Sequence, residues 1–148
     1  MLGFTDIETD DDGDLVVDPR GDLKIASTRR TAIQSMIFRL RTIIGDYVPD
    51  ASLGSDIPKM YGRPNTRHNG SLIASMAKRA LTVDGRFSTN EFTLDVTPVS
   101  PESIIIVLRL INVFYDLPAD EQDQTVLKFL LNYEEGTFSV IGNESAPV

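Results

Sequence analysis

The spacing of apolar residues changes from helical to strand-like at Phe92, and this change most constrains the fold. Apolar residues recur at helical spacing over Thr28–Ile44 and again over about Gly70–Val83. From Phe92 onward they alternate with polar residues, as in Leu94 and Val96. A helix repeats every 3.6 residues and a strand every two, so one element cannot satisfy both patterns. The sequence therefore predicts an α+β fold in which two helices precede a sheet.

Four strands are predicted after the second helix. Residues 91–97 alternate between apolar and polar, which is typical of a strand with one solvated face. The run 103–115 is mostly apolar on both faces and suits a central strand. Residues 125–133 and 137–141 form two more strands, joined by the tight turn 134–136. These segments predict a mainly antiparallel four-stranded sheet.

The two ends of the chain are predicted to be less regular. Residues 15–17 and 23–25 flank a turn that contains Pro19 and Gly21, which predicts a short N-terminal β-hairpin. The acid-rich residues 1–13 are predicted to form an extended arm, and residues 142–148 a flexible tail. The chain contains no internal repeat of solenoid length.

Residues at the ends of the first helix indicate where it begins and stops. Ser27 or Thr28 can cap its N-terminus, and Gly45 suits the position just after its C-terminus. Four polar residues are expected mainly off the buried stripe: Arg29, Arg30, Gln34 and Arg41.

Length and composition limit the class of protein. A chain of 148 residues buries one core and does not require two domains, so residues 1–148 are expected to form a single domain. The absence of cysteine excludes disulfides and thiolate chemistry. The longest apolar run, Ile104–Leu108, is far shorter than a membrane span, and the acidic N-terminus does not read as a signal peptide. We expect no membrane association.

Charge is distributed unevenly along the chain. Residues 1–27 carry a net charge of −6, residues 28–86 carry +6 and residues 87–148 carry −8. A basic central segment can pair internally on folding, dock an acidic protein or contact nucleic acid. The sequence favours internal pairing over a protein partner. It argues against nucleic acid, because aromatic residues are not interleaved with the central bases and the acidic flanks repel phosphate.

Motifs for catalysis and metal binding are weak. A calcium loop centred on Gly13 fails, because Pro19 stands where a bidentate acid is needed. His68, the only histidine, has no acid within four residues to complete a metal or catalytic pair. Paired carboxylates could in principle hydrolyse glycosides, and the candidate pairs are Glu91 with Asp95 and Glu134 with Glu135. An ordinary solvated surface explains those pairs better. We therefore predict no enzyme, cofactor or metal site.

An ordered series of short motifs points to a family. Arg39-Leu40 follows Gln34 on the first helix, and a Thr-x-x-Gly-acid element follows as Thr42, Gly45 and Asp46. Leu53-Gly54-Ser55-Asp56 comes next, and Asp84-Gly85-Arg86 stands after the second helix, where the family has Glu-Pro-Arg. Over residues 20–115 this order resembles the small baseplate wedge proteins of contractile-tailed bacteriophages and their type VI secretion counterpart. The proline of that last motif is lost, while the acid and the arginine are kept.

The resemblance implies a structural role rather than catalysis. Proteins of this family sit in the inner baseplate of the tail, bind larger wedge subunits and initiate polymerisation of the tail sheath by strand pairing. It implies the larger wedge subunits, the sheath protein and central hub or tube proteins as partners, in a ring of several copies. It also implies location in the virion tail baseplate after synthesis in the host cytoplasm. A lysozyme-like glycan hydrolase using paired carboxylates is the alternative, since some relatives carry a lysozyme label.

Six residues are expected to form the motif-derived interface: Thr42, Gly45, Asp46, Gly54, Asp84 and Arg86. Arg86 follows a helix and precedes a strand, so its guanidinium can donate to loop carbonyls or to Asp46. Such bonds would tie the loop after the first helix to the exit of the second. Unpaired sheet edges and the two chain ends are expected to mediate strand pairing between neighbours.

Overall fold

A computed structural model describes residues 5–111 and 124–146 of the chain, and it has the predicted α+β class. In chain order the elements are α1 (Thr28–Arg41), a short 3₁₀ helix (Ile57–Met60), α2 (Arg67–Thr82), β1 (Phe92–Ser100), β2 (Ser103–Leu110), β3 (Gln124–Asn132) and β4 (Thr137–Ala146). The four strands form one antiparallel sheet in the order β1-β2-β3-β4. The sequence prediction of a four-stranded antiparallel sheet is thus confirmed.

Helix α1 is shorter and more deeply buried than its sequence predicts. Ser27 caps its N-terminus, because the Oγ atom accepts a hydrogen bond from the Arg30 N–H. The helix ends at Arg41 rather than Ile44, since Thr42 already has an extended backbone. Gln34 is expected on the solvated face, but it is buried along with the apolar stripe.

Helix α2 begins three residues before its predicted start at Gly70. The Thr66 side chain accepts from the Asn69 N–H and so caps a helix that starts at Arg67. The side-chain amide of Asn69 (Nδ2) in turn donates to the Pro64 carbonyl at 2.6 Å. These polar bonds, rather than the apolar period, fix where the helix begins.

The core lies between the two helices and one face of the sheet. Alternate residues of β2 and β3 point into it, and their register places Ile106 opposite Phe129 and Leu108 opposite Leu127. On α1 and α2 the buried stripe supplies Met36, Leu40, Ile73, Ala77 and Leu81. The opposite face of the sheet carries half-buried and exposed residues. The chain therefore folds as two layers, with one sheet face left open.

Strands β1 and β4 form the two edges of the sheet. Strand β4 extends to Ala146, so the tail predicted over residues 142–148 is part of the sheet up to that residue. Residues 147–148 lie outside the described residues, as do residues 112–115 of the predicted central strand. Each edge has one irregularity, between Pro98 and Ser100 in β1 and near Ile141 in β4.

The N-terminal segment folds into a closed ring instead of an extended arm. The N–H of Glu8 donates to the Lys24 carbonyl (2.8 Å), that of Val16 to Glu8 (3.0 Å), and that of Lys24 to Val16 (3.0 Å). Isolated antiparallel bridges flank these bonds and pair Ile7 with Ile25, Thr9 with Leu15, and Val17 with Leu23. We call residues 6–26 the N-terminal ring.

Two sequence predictions change because of this ring. The expectation of an extended arm does not hold for residues 6–13, whose main chain bonds to residues 14–26. The predicted arms of the hairpin, 15–17 and 23–25, bond to one another across the turn, but through an isolated bridge and not as regular strands. Residues 7–9 also bond to both arms, so a third segment joins them. Residues 1–4 lie outside the described part of the chain.

An eight-residue repeat underlies the ring. Asp6, Asp14 and Asp22 each begin a unit, and each is followed by an aliphatic residue. In the first two units Asp10 and Asp18 accept main-chain N–H bonds across a turn, with φ positive at the glycine that ends it. These two turns are the corners between ring segments. A period of eight residues is shorter than that of solenoid repeats, so this repeat was not predicted from the sequence.

Basic and polar residues of α1 hold the ring against the domain. The Gln34 amide bonds to the main chain of Ile7 and Thr9 and to the Asp6 carboxylate. Arg30 donates to the Thr9 carbonyl at 2.9 Å and pairs with Asp11 at 2.7 Å, and Arg41 donates to the Asp11 carbonyl. Part of the positive charge of the central segment is therefore paired internally with the acidic N-terminus.

Candidate interaction site

The six residues of the motif-derived interface lie in two places. Thr42, Gly45, Asp46 and Gly54 belong to the loop between α1 and the 3₁₀ helix, and Asp84 and Arg86 lie after α2. Arg39, on the last turns of α1, binds directly to Asp84 and so connects α1 to the α2 exit. The sequence reading placed Arg39 only within a motif and assigned it no partner.

The loop after α1 returns to cap the helix. The Ser55 N–H donates to the Thr42 carbonyl at 2.7 Å, and the Ser55 hydroxyl donates to the Leu40 carbonyl at 2.6 Å. The last carbonyls of a helix have no partner within it, so these bonds satisfy groups that the buried helix end would otherwise leave unpaired. Ser55 itself is buried. The Leu-Gly-Ser-Asp motif is thus a helix-capping element.

Gly54 makes this return possible. Its φ of +120° is unfavourable for residues with a Cβ atom, and a Cβ built there would lie 2.5 Å from the Thr42 carbonyl oxygen. Gly45 has a different role from the predicted one. It lies in a turn closed by the bond from Asp46 N–H to the Ile43 carbonyl, with φ of +96°, and not directly after the helix.

The capping role of Ser55 leads to a stability prediction. Ser55→Ala removes the hydroxyl that the buried Leu40 carbonyl depends on, so we expect the free energy of unfolding to fall by about 1–2 kcal/mol. Ser52→Ala is the matched control, because the Ser52 hydroxyl bonds only to Asp50 in an exposed stretch of the same loop. Urea denaturation of both variants measures the difference. Equal losses in the two variants would contradict the capping role.

Arg39 and Asp84 form a bidentate ion pair just after the C-terminus of α2. Nη1 and Nη2 of Arg39 lie 2.9 and 2.6 Å from the two carboxylate oxygens of Asp84. The Arg39 side chain is only 3% exposed, and its guanidinium carbon lies 5.9 Å from the centre of the Phe87 ring. The parallel bonds fix both side chains in one orientation and tie α1 to the turn that follows α2.

Arg86 belongs to the same charged cluster. Its main-chain N–H donates to Asp84 at 3.1 Å. Burial, and after it the positive charge of Arg39, lower the pKa of Arg86, while the charges of Asp84 and Asp6 act against that shift. Burial also raises the pKa of Asp84, but hydrogen bonds from Arg39 and Arg86 outweigh it and leave that pKa below its ordinary value. The bond predicted from Arg86 to Asp46 stays a prediction.

An open cleft of about 450 Å³ lies between the ring and α1. Arg39 and Arg86 line it together with Leu15 of the ring and an aromatic pair from α1 and its loop. That pair is Phe38 and Tyr47, whose rings meet edge to face with their centres 5.5 Å apart. Both aromatic side chains remain partly exposed. Apolar side chains and the charged side chains of Asp6, Arg39 and Arg86 thus line the same cleft.

The carboxylates considered for hydrolysis lie away from this cleft. Asp95 is ion-paired with Arg109 on the open sheet face, and the Glu91 carboxylate accepts the Ser88 N–H. Glu134 and Glu135 are exposed in the turn between β3 and β4, where their N–H groups donate to Asn132. A glycosidase needs two carboxyl groups facing one another across a substrate. The carboxylates of Asp95 and Glu91 thus bond to different partners, and Glu134 and Glu135 are exposed.

The described parts of the chain contain neither a metal-binding cluster nor a membrane-spanning helix. Over residues 5–111 and 124–146, His, Asp and Glu side chains form no group of three placed to hold a metal ion. Within the same ranges, neither helix has the length and apolarity to cross a membrane. His68 lies in the first turn of α2.

Comparisons with known proteins give no match for this chain. No protein family, curated protein or solved structure matches it.

Proposed function

We propose that the chain is a non-enzymatic structural component of a contractile tail baseplate. In this proposal it is an inner wedge subunit, present in several copies in the virion, that binds larger wedge proteins and initiates sheath polymerisation by strand pairing. The ordered motifs over residues 20–115 suggested this role. Three of their residues, Thr42, Gly54 and Asp84, make contacts that hold the fold together.

The open sheet edges are the observation that carries the proposal. The sheet ends at β1 on one side and β4 on the other, and no further strand of the described residues pairs with either. The outward N–H and C=O groups of an edge strand can bond to an added strand from another protein. Strand addition of this kind joins subunits through main-chain bonds and needs no reactive side chain.

An exposed aliphatic residue lies at the irregular point of each edge strand. Val99 in β1 is 58% exposed, and Ile141 in β4 is 49% exposed. A lysine at such a position discourages pairing, because strand addition would have to bury its charge. Both residues are sufficiently exposed for the fold to accept lysine. They therefore allow edge pairing to be tested separately from folding.

Electron microscopy of tail particles tests the proposal. In the genome that carries this chain, deletion of its coding sequence should leave tail tubes without an extended sheath, and the wild-type chain should restore the sheath. We expect Val99→Lys combined with Ile141→Lys to fold normally but fail to restore it. Val48→Lys, in an exposed loop, is the control and should restore it fully. Sheathed tails without the chain would overturn the proposed function.

A further inference from the structure

The N-terminal ring exposes an unusual amount of aliphatic surface. Its exposed residues are Ile7, Leu15, Val17, Leu23 and Ile25, whose exposure ranges from 39% to 61%. They account for five of the eleven large hydrophobic residues that are exposed among the described residues. A contiguous apolar patch on a soluble protein is characteristic of a binding surface.

Strand alternation places these residues on one side of the ring. Glu8, Val16 and Lys24 occupy the middle of the three segments, and an ion pair at 3.0 Å puts Glu8 and Lys24 on the same side. The residues before and after each of them point to the opposite side. That side carries the five aliphatic side chains and Thr9, and we call it the apolar face of the ring.

The apolar face continues into the cleft beside α1. Ile7, Thr9 and Leu15 line the cleft from the ring, and Phe38 and Tyr47 line it from the domain. The cleft is open, so a side chain from another molecule can enter between the two walls. Large apolar side chains that fill such clefts are the residues on which binding energy concentrates.

Acidic residues surround the apolar face. The two corner turns carry Asp10, Asp11, Asp12, Asp14, Asp18 and Asp22, and Asp6 lies at the third corner. Asp11 is paired with Arg30, and Asp18 with Arg20. The first 27 residues keep a net charge of −6. The rim of the surface is therefore strongly negative.

We propose that the apolar face of the ring binds a partner-protein segment whose apolar side chains are framed by lysine or arginine. Apolar contact supplies most of the binding, and charge complementarity selects the partner. A second copy of the chain does not fit this description, since its own acidic rim would oppose the first. The inference goes beyond the proposed function and does not depend on it, because it involves neither sheet edge.

Two synthetic amphipathic helical peptides test the charge requirement. One has a leucine face flanked by lysine, and the other has the same leucine face flanked by glutamate. Isothermal titration calorimetry of the full chain should show binding of the lysine peptide and at least tenfold weaker binding of the glutamate peptide. Amide NMR shifts should localise the lysine peptide to residues 6–26 and the adjacent α1 surface. Equal binding of both peptides, or binding of neither, would overturn the proposal.

Variants of the apolar face and of its rim complete the test. Leu15→Ser combined with Leu23→Ser should weaken binding of the lysine peptide by about tenfold or more. Val99→Ser, which removes an exposed aliphatic residue of β1 away from the ring and the cleft, should leave it unchanged. Asp12→Lys combined with Asp22→Lys should shift the preference towards the glutamate peptide. Unchanged binding in the first variant, an unchanged preference in the last, or dimerisation through residues 6–26 in sedimentation velocity would contradict the proposal.

Discussion

Gly54→Ala is expected to lower the free energy of unfolding by about 3 kcal/mol, the largest effect of any single substitution proposed for this chain. Alanine must adopt a φ of +120° there, and its Cβ would lie 2.5 Å from the Thr42 carbonyl oxygen. That oxygen belongs to main chain and already accepts the Ser55 N–H, so it cannot move without breaking the cap of α1. Chemical denaturation with circular dichroism measures the loss.

Gly45→Ala provides the matched control for Gly54. Gly45 also has a positive φ, at +96°, but a Cβ there would meet no atom within 4 Å. Only the backbone conformation is penalised, so we expect a loss of about 1–2 kcal/mol. If the two alanine variants were equally stable, close approach to Thr42 would not be the reason for glycine at position 54.

Arg39→Met is expected to lower the free energy of unfolding by about 2–3 kcal/mol, because it leaves Asp84 without its buried partner. The value lies below that for a fully buried pair, since the Asp84 side chain is 33% exposed and water can replace part of the interaction. Arg109→Met is the control. Arg109 pairs with Asp95 on the solvated sheet face, and we expect a loss of less than about 1 kcal/mol.

Acid denaturation tests the same ion pair independently. The pKa of Asp84 in the folded chain lies below its ordinary value of 3.8, so the charged pair stabilises the fold above that pH. The stabilisation disappears as the pH falls through the lowered pKa and Asp84 takes up a proton. The difference in stability between wild type and Arg39→Met should therefore narrow below about pH 3.8. A difference that stayed constant down to acid unfolding would exclude Asp84 as the partner that matters.

The spacing of apolar residues predicted those helices and strands that form by burying apolar side chains. The alternation from Phe92 onward predicted the sheet, and the stripe through Met36 and Leu40 predicted α1. Period alone did not locate the element ends, because Thr66 and Ser55 set these through polar bonds to main chain. Gln34 was wrongly predicted to face solvent for a related reason. Its side chain is buried because it bonds to the main chain of the N-terminal ring, and the spacing of apolar residues gives no information about such bonds.

The N-terminal ring was missed although its signal is present in the sequence. Aspartate followed by an aliphatic residue recurs at positions 6, 14 and 22, with glycine at positions 13 and 21. The high acid content suggested an unpaired arm, yet the aspartates at the corners bond to turn amides and do not need solvent on every side. An eight-residue period of aspartate followed by an aliphatic residue, with a turn glycine in the first two units, is the pattern that indicates this structure.

The sequence predicted few of the contacts that the motif-derived residues make. Asp84 and Arg86 are close to one another, as their positions two residues apart require. The bidentate ion pair with Asp84, however, is made by Arg39. A contact between residues 45 positions apart is set by how α1 packs on α2, and no local pattern encodes it. Gly54 and Thr42 meet because both belong to the loop that caps α1.

Hydrogen–deuterium exchange of the edge strands, measured in the purified chain and in intact tail particles, tests the central claim most directly. That claim is that the chain works by joining its sheet edges to neighbouring subunits. We expect the outward amides of β1 or β4 to exchange rapidly in the free chain and to be strongly protected in the particle. Equal exchange in both states, together with peptidoglycan hydrolysis that is lost on replacing Glu91 or Glu134, would contradict it.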